Sequence, residues 1–111
     1  MIYGMTGGQV APTTPLKTRT TTTPYGSFEH PLDAAKLAVA AGANYSARWT
    51  TAHSKELKGA FKKALQMDGF RFIEVVSQCP TAYGRRAGFK DIGEMLKWFR
   101  ENTVPVAEAE K

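Results

Sequence analysis

Apolar residues recur at intervals of three and four between residues 54 and 67, which is the spacing of one helical face. That face consists of Leu57, Ala60, Phe61, Ala64 and Leu65. Lysines take the outer positions, namely Lys55, Lys58, Lys62 and Lys63, as is typical of a solvated face. The pattern predicts an amphipathic helix that packs through one side and is stopped by Gly69.

Two further segments predict helices. Residues 31–41 are rich in alanine and leucine, begin at a proline suited to a first helical turn, and stop at Gly42. Residues 91–102 follow Lys90, and we expect Asp91 to cap this helix with Glu94 reaching back. The expected buried stripe of this last helix is Ile92, Met95, Leu96 and Phe99.

Two strands are predicted between the helices, over residues 45–50 and 70–77. The second is too apolar for a strand with one solvent-exposed face. It suits a strand covered on both faces, as in a parallel sheet. Ile2 and Tyr3 are interpreted as the end of an earlier strand, and residues 78–90 as a loop. Helices that alternate with strands predict an α/β fold with parallel strands and right-handed crossovers. The aromatic residues expected in the core are Phe61, Phe70, Phe72, Trp98 and Phe99.

The first 30 residues differ from the rest because glycine, proline and threonine interrupt every regular pattern. Seven threonines lie between Thr13 and Thr23. A loop of this length is usually functional or disordered. The predicted organisation is a long loop over 1–30, an α/β portion over 31–104 and a polar tail over 105–111, which together form part of one domain.

Composition narrows the class of protein. The 111 residues carry a formal net charge of +5 and one cysteine, Cys79, so an intramolecular disulfide is excluded. His30, His53 and Cys79 do not fall at zinc-ligand spacing. Neither a membrane-spanning run nor a secretory signal is apparent, so we expect a soluble cytoplasmic protein without membrane contact.

Candidate chemistry lies in the segments that leave the predicted strands. In an open parallel sheet, ligands bind beyond the carboxyl ends of the strands, and here those ends lead into residues 4–9, 49–53 and 78–86. The first segment, Gly-Met-Thr-Gly-Gly-Gln, offers backbone N–H groups and a threonine hydroxyl to a phosphate. It is not a P-loop because no Lys-Ser/Thr follows the glycines. On spacing alone, a simple Gly-rich turn is the better explanation of this segment.

The actual strings are more specific. The chain reads IYGMTGGQ over residues 2–9, PTTP over 12–15 and TTTPYG over 21–26. It continues with ARWTTAH over 47–53, FIEVVSQCPT over 72–81, YGRR over 83–86 and MLKW over 95–98. In this order, over nearly the whole chain, these strings resemble the β subunit of 2-oxoacid:ferredoxin oxidoreductases, and most of all its 2-oxoglutarate branch.

The resemblance implies a fold and an activity. The fold is an incomplete three-layer α/β thiamine diphosphate-binding domain, of which the chain is the C-terminal half. The implied activity is the oxidative decarboxylation of a 2-oxoacid to acyl-coenzyme A, with thiamine diphosphate and Mg²⁺ as cofactors. Electrons pass through iron–sulfur clusters to ferredoxin, and the implied partner is the α subunit.

The resemblance also implies site residues. The cofactor-binding residues are Ile2, Tyr3, Gly4, Met5 and Thr6, with the Ile2 carbonyl as a Mg²⁺ ligand. Met5 and Gly7 are implied to shape the substrate pocket. The family's other two Mg²⁺ ligands, an Asp and an Asn, precede the position of Ile2, so we expect the isolated 111-residue chain not to bind thiamine diphosphate–Mg²⁺ appreciably. Micromolar affinity in titration calorimetry would contradict that expectation.

Several residues allow two interpretations. Arg48 and His53 either contact substrate or cofactor, or form a salt bridge and a helix cap respectively. Arg85 and Arg86 either contact coenzyme A phosphates or a partner subunit, or belong to a solvated basic loop. Cys79 is interpreted as a small buried apolar residue rather than a nucleophile or cluster ligand.

Two other functions compete with the oxidoreductase. The net charge of +5 and the lysine face allow a small nucleic-acid-binding module, although the aromatic residues follow buried periodicity instead of forming a stacking platform. A non-catalytic module that docks on larger subunits through residues 1–30 is the other alternative. Because the oxidoreductase is preferred, no nucleic-acid partner is expected.

Overall fold

A computed structural model describes residues 1–106 of the chain. Its strands are β1 (Ile2–Tyr3), β2 (Gln9–Val10), β3 (Tyr45–Thr50) and β4 (Arg71–Val76). Its helices are α1 (Ala34–Ala40), α2 (Ser54–Leu65), a π-helical turn (Pro80–Gly84), the one-turn α3 (Arg85–Ala87) and α4 (Ile92–Glu101). No helix among these residues combines the length and apolarity that crossing a membrane requires.

The centre of the fold is a parallel pair of strands with a helix on each face. Strand β3 pairs with β4 from Tyr45 opposite Arg71 to Thr50 opposite Val76. The Ser46 hydroxyl donates to the Ala35 carbonyl of α1 at 2.8 Å, whereas the neighbouring Tyr45 ring lies under Lys63 of α2. Successive side chains of a strand point to opposite faces, so α1 and α2 cover opposite sides of the sheet. The predicted α/β fold is confirmed.

The starts of α1 and α4 depend on aspartate caps. Asp33 accepts a hydrogen bond from the Lys36 N–H, so α1 begins at Ala34, and the prediction of a proline in its first turn is wrong. At α4, Asp91 accepts from the Glu94 N–H at 2.8 Å, as predicted. The Glu94 carboxylate reaches back to the Lys90 N–H at 2.6 Å. Both caps satisfy N–H groups that have no partner inside the helix.

The start of the chain departs from the prediction. Residues Ile2 and Tyr3 pair antiparallel with Val10 and Gln9, and do not join the parallel sheet. The intervening glycines turn the chain back on itself within a few residues, so the nearest available partner for β1 is local. The interpretation of Ile2–Tyr3 as the end of a parallel strand is therefore wrong for this structure.

Hydroxyl groups hold the long first loop in one conformation. Thr14, which is almost fully buried, accepts from the Ala11 N–H and donates to the Met1 carbonyl. Thr20 exchanges hydrogen bonds with the backbone of Thr23, and Ser27 exchanges them with Lys17 and Thr18. Buried threonine side chains are stable here because their polar atoms are paired. The threonines therefore stabilise the conformation of the first loop.

The segment after β4 is helical rather than the predicted loop. Pro80–Gly84 forms a π-helical turn that runs directly into α3. The turn is closed by the Gly84 N–H, which donates to the Cys79 carbonyl at 2.7 Å. Gly84 packs against the sulfur of Met95 in α4, where an added Cβ would lie 2.8 Å from that atom. This close approach fixes α4 to the end of β4.

Fewer apolar side chains are buried than the sequence pattern predicts. The buried apolar side chains are Ala38, Ala60, Ala64, Met95 and Phe99. Several side chains expected to be buried are exposed instead: Phe61, Leu65, Phe70, Val75, Ile92 and Trp98. The two strands lie only about 5 Å apart, so the sheet is narrower than the helices that pack on it. Side chains on the flanks of those helices therefore extend past the sheet edges into solvent. Both α1 and α2 contact β4, but Val75 remains exposed, so the predicted cover of this strand on both faces is incomplete. The predicted tail over 105–111 lies outside the described residues from position 107 onward.

Candidate functional site

The three segments that leave the predicted strands meet at one edge of the sheet. The Thr51 hydroxyl, just after β3, donates to the side-chain oxygen of Gln78, just after β4. Gly4 lies against the π-helical turn so closely that an added Cβ would be 2.5 Å from the Cβ of Ala82. The predicted convergence of residues 4–9, 49–53 and 78–86 is therefore present, although β1 belongs to a separate hairpin.

Residues 4–8 form a tight turn, which we call the glycine turn. The Gly8 N–H donates to the Tyr3 carbonyl at 2.9 Å, and the Gly7 N–H donates to the Gly4 carbonyl at 3.3 Å. Gly7 and Gly8 have φ values of +115° and +92°, which favour glycine over residues with a side chain. An added Cβ on Gly8 would meet the Thr21 hydroxyl at 2.7 Å. The turn is thus fixed both by its own backbone and by the first loop.

The tip of the glycine turn is open. Met5 is fully exposed and Thr6 is exposed beside it. The Thr6 hydroxyl donates to the Gln9 side-chain oxygen at 2.6 Å, and the Gln9 amide nitrogen donates back to the Thr6 carbonyl at 2.9 Å. Gln9 therefore orients Thr6 through two hydrogen bonds. Nothing in the spacing of Thr6 and Gln9 distinguishes this role from an ordinary turn, so the sequence alone does not reveal it.

Arg48 forms ion pairs with other side chains of the fold. Its guanidinium lies 2.6 Å from Glu74 on the paired strand and 3.0 Å from Asp33 at the start of α1. The Lys36 N–H, together with Arg48, holds the pKa of the Asp33 carboxyl below its ordinary value. The interpretation of Arg48 as a salt-bridge residue is confirmed, and its partners tie α1 to both strands.

His53 precedes α2 but its side chain does not cap the helix. The Nδ1 atom lies 2.8 Å from the Thr50 hydroxyl, and the ring is tilted against Trp49 with centroids 6.1 Å apart. Of the two interpretations of His53, capping of α2 by its side chain is contradicted, although the residue occupies the cap position. The imidazole instead helps to close the tight connection between β3 and α2.

Cys79 is exposed, so its interpretation as a buried apolar residue is wrong. It stands at the start of the π-helical turn, where the backbone N–H groups of Ala82 and Tyr83 lower the pKa of its thiol below the ordinary value. N–H groups that point at the sulfur stabilise the thiolate form. The sequence carried a usable signal, because Pro80 directly after the cysteine favours a helical start.

We expect the alkylation of Cys79 by iodoacetamide to reach its half-maximal rate at a lower pH in the folded chain than in the urea-unfolded chain. The lowered pKa increases the thiolate fraction at any pH below the ordinary thiol value, and the thiolate is the nucleophile. Mass spectrometry of the modified peptide as a function of pH gives both midpoints. Equal midpoints would show that the backbone N–H groups do not act on the sulfur.

The two arginines after the π-helical turn lie apart. Arg85 lines a cleft at the start of α4, while a terminal nitrogen of Arg86 lies 3.5 Å from where a Cβ on Gly8 would sit. Both side chains are exposed. Arg86 therefore places a positive charge next to the glycine turn, which agrees with contact to an anion there. Residues 1–106 contain no group of three or more His, Cys, Asp or Glu side chains that could hold a metal ion.

Comparisons with known proteins agree with the resemblance. The family model for the C-terminal TPP binding domain of thiamine pyrophosphate enzymes matches residues 1–75. The 2-oxoglutarate synthase subunit KorB of Methanocaldococcus jannaschii is 55% identical over 108 residues, covering 97% of this chain and 40% of the relative. KorB of Methanothermobacter marburgensis is 52% identical over 103 residues, covering 93% of this chain and 36% of the relative.

A more distant relative is named for 2-oxoacids in general and not for 2-oxoglutarate. The 2-oxoacid:ferredoxin oxidoreductase subunit beta of Saccharolobus solfataricus is 34% identical over 80 residues, which is 72% of this chain and 26% of the relative. The chain thus spans about two fifths of the length, or less, of these curated relatives. No solved structure matches the chain.

These similarities confirm the resemblance to 2-oxoacid:ferredoxin oxidoreductase β subunits and its 2-oxoglutarate branch, and they give no support to a nucleic-acid-binding module. The family match spans residues 1–75, so it contains the glycine turn and residues 49–53 and ends within β4, before residues 78–86. The chain belongs to the family of C-terminal thiamine pyrophosphate-binding domains of thiamine pyrophosphate enzymes.

Proposed function

We propose that the chain forms the diphosphate-binding part of the β subunit of a 2-oxoacid:ferredoxin oxidoreductase with 2-oxoglutarate as substrate. The enzyme converts the 2-oxoacid and coenzyme A into acyl-coenzyme A, and ferredoxin receives the electrons. Its partner is an α subunit, and its location is the cytoplasm. The observation that carries the proposal is the glycine turn at the edge of the sheet, in a chain that belongs to a thiamine pyrophosphate-binding family.

The residues at this edge fit a diphosphate. Thr6 supplies a hydroxyl donor on an exposed turn, and the absence of a Cβ at Gly4 and Gly8 lets that turn pack against Ala82 and Thr21. Arg86 adds a positive charge beside Gly8. Hydrogen bonds from a neutral donor to a charged oxygen are stronger than bonds between neutral groups. We infer that Ile2, Tyr3, Gly4, Met5 and Thr6 bind the cofactor, and that Met5 and Gly7 border the substrate pocket.

Thiamine diphosphate, when bound, supplies the ylid and the electron sink for decarboxylation. This chain contributes by holding and orienting the cofactor. Gln9 accepts a hydrogen bond from the Thr6 hydroxyl and donates one to the Thr6 carbonyl, so its amide holds the shape of the turn. When a diphosphate binds, the Thr6 hydroxyl exchanges its bond to Gln9 for one to a phosphate oxygen, and the charged acceptor favours that exchange.

The metal cofactors need more ligands than the described residues provide. Mg²⁺ favours six oxygen ligands in octahedral geometry, commonly shared with phosphates, and the Ile2 carbonyl would supply one of them. Iron–sulfur clusters are held by cysteine thiolates, typically four, and Cys79 is the only cysteine among the 111 residues. We therefore assign Mg²⁺ and the clusters to the complete complex.

The proposal is tested with the purified complex of full-length β subunit and α subunit. We expect 2-oxoglutarate-dependent reduction of ferredoxin that requires coenzyme A and thiamine diphosphate and exceeds the rate with other 2-oxoacids. The isolated 111-residue chain, which provides too few Mg²⁺ ligands, is expected to give no turnover and no micromolar binding of thiamine diphosphate–Mg²⁺ in calorimetry. Activity without thiamine diphosphate would contradict the whole proposal, and a preference for another 2-oxoacid would contradict the substrate.

A further inference from the structure

Part of the first loop folds into an arm that reaches back to the glycine turn. We call residues 17–27 the threonine arm. At its base the Lys17 N–H donates to the Ser27 carbonyl at 2.7 Å. Near its tip the Thr20 N–H donates to the Thr23 carbonyl at 3.2 Å. The two sides of the arm are therefore joined at both ends by backbone hydrogen bonds.

The tip of the threonine arm is a turn of four threonines. Thr20 and Thr23 close the turn and are buried, with 5% and 7% of their surface exposed. The Thr23 N–H donates to the Thr20 hydroxyl at 3.2 Å. Thr21 and Thr22 lie between them and are exposed. Because the closing residues are buried and paired, the tip has a defined shape that presents two hydroxyl groups.

Both exposed threonines of the tip contact Gly8 of the glycine turn. The Thr22 hydroxyl donates to the Gly8 carbonyl at 3.3 Å. The Thr21 hydroxyl lies where it would be 2.7 Å from a Cβ added to Gly8. Gly8 is itself buried, and its N–H donates to the Tyr3 carbonyl at 2.9 Å. Gly8 is thus held through its N–H by the start of the turn and through its carbonyl by the arm.

The part of the glycine turn that the arm contacts has the greatest conformational freedom. Gly7 and Gly8 are consecutive glycines with φ values of +115° and +92°. Glycine loses more backbone freedom on ordering than any other residue, so this pair is costly to hold in one conformation. The hydrogen bond from Thr22 restricts the pair before any ligand is present. A turn that is already ordered loses less entropy when a ligand binds.

The arm leaves the binding groups of the glycine turn free. The N–H groups of Gly7 and Gly8 donate to carbonyls at the start of the turn. Within residues 1–106, the N–H groups of Met5 and Thr6 donate to no backbone carbonyl. Successive free N–H groups in a turn form a concavity that suits an anion. Restricting Gly8 therefore fixes the turn that directs these two N–H groups.

We propose that Thr22 is a positioning residue that holds the glycine turn in the shape that receives the diphosphate. It acts through the Gly8 carbonyl and does not itself touch the cofactor. This role rests on the proposed function, because it requires the diphosphate to bind at residues 4–8. An effect on the order of the free turn changes binding and not the chemical step, so cofactor affinity falls without Thr22 while turnover at saturating cofactor does not.

The test uses the complete oxidoreductase complex and three variants of the β subunit. Thr22→Val keeps the shape of the side chain without the hydroxyl, and Thr22→Ser keeps the hydroxyl. Thr103→Val is the matched control, because it removes the same kind of bond at the end of α4, where the Thr103 hydroxyl donates to the Phe99 carbonyl at 2.6 Å. The measurements are hydrogen exchange of the Gly8 N–H without cofactor, the dissociation constant of thiamine diphosphate by calorimetry, and turnover at saturating thiamine diphosphate.

We expect Thr22→Val to speed exchange of the Gly8 N–H and to weaken thiamine diphosphate binding by about fivefold, as the loss of one neutral hydrogen bond predicts. Turnover at saturating cofactor should equal that of wild type, and Thr22→Ser and Thr103→Val should bind the cofactor within about twofold of wild type.

Unchanged cofactor affinity in Thr22→Val overturns the positioning role, and so does a loss of turnover that saturating cofactor does not restore. An equal loss of affinity in Thr22→Ser overturns it as well, because the hydroxyl would then not be the group that acts. A wild-type complex that binds no thiamine diphosphate contradicts the proposed function instead. Faster exchange of the Gly8 N–H in Thr22→Val would still support the bond between the arm and the turn in that case.

Discussion

Gly4→Ala is expected to weaken the binding of thiamine diphosphate to the complete enzyme by at least about tenfold. The added methyl group would lie 2.5 Å from the Cβ of Ala82, well inside the distance that two carbon atoms tolerate. Neither atom is the end of a flexible side chain, so the glycine turn must move away from the π-helical turn. Overpacking of this kind costs about 1–3 kcal/mol, and here the displaced atoms belong to the proposed diphosphate site.

A second substitution makes the interpretation specific. Ala82→Gly removes the opposing methyl group, so the double variant with Gly4→Ala should regain most of the lost affinity. Gly42→Ala is the control, because Gly42 has a φ of +88° but nothing within 4 Å of an added Cβ. It destabilises the fold by about 1–2 kcal/mol and should leave cofactor affinity unchanged. Calorimetry that finds Gly4→Ala equal to wild type, or the double variant no better than the single, would contradict the contact.

Thr6→Val is expected to weaken thiamine diphosphate binding by about ten- to a hundredfold, because valine has the shape of threonine without the hydroxyl. A hydrogen bond to a charged acceptor contributes about 1.5–3 kcal/mol, which corresponds to that range. Thr6→Ser retains the donor and should remain within a few-fold of wild type. The KM for the 2-oxoacid should change little, since the lost bond is to the cofactor.

The Thr6 pair of variants separates two roles of the side chain. If Thr6 only closes the turn through Gln9, Thr6→Val and removal of the Gln9 amide would both lower the free energy of unfolding. The affinity of the folded enzyme for the cofactor would then stay unchanged. If Thr6 binds diphosphate, affinity falls while thermal unfolding of the free enzyme stays near its wild-type midpoint. An unchanged dissociation constant for Thr6→Val would contradict the assignment.

Elements with local signals were predictable from the sequence. The spacing of Ala60 and Ala64 identified α2, and Asp91 with Glu94 identified the start of α4, because periodicity and caps depend on residues a few positions apart. The parallel pairing of β3 and β4 followed from the intervening helix, since a crossover of that length favours parallel strands. The hairpin that pairs Ile2 with Val10 was missed although it is local, because strands of two residues are too short to show an alternating pattern.

The candidate site was predictable in outline but not in detail. The rule that ligands bind beyond the carboxyl ends of parallel strands brought residues 4–9, 49–53 and 78–86 together, and the contact of Gly4 with Ala82 agrees with it. The exposure of Cys79 was missed because residues 78–90 were interpreted as a loop, although Pro80 is suited to a first helical turn. The contact of Thr22 with Gly8 joins residues far apart in the chain, so periodicity carried no information about it.

The glycine turn is the proposed binding site of the diphosphate, and the roles assigned to Gly4 and Thr6 depend on it. The most direct test is a structure of the complete complex with thiamine diphosphate bound. The predicted result is a phosphate oxygen about 3 Å from the Thr6 hydroxyl, with the backbone of residues 4–7 along the same phosphate. A diphosphate held elsewhere, with no atom of residues 2–8 within hydrogen-bond reach, would contradict the account.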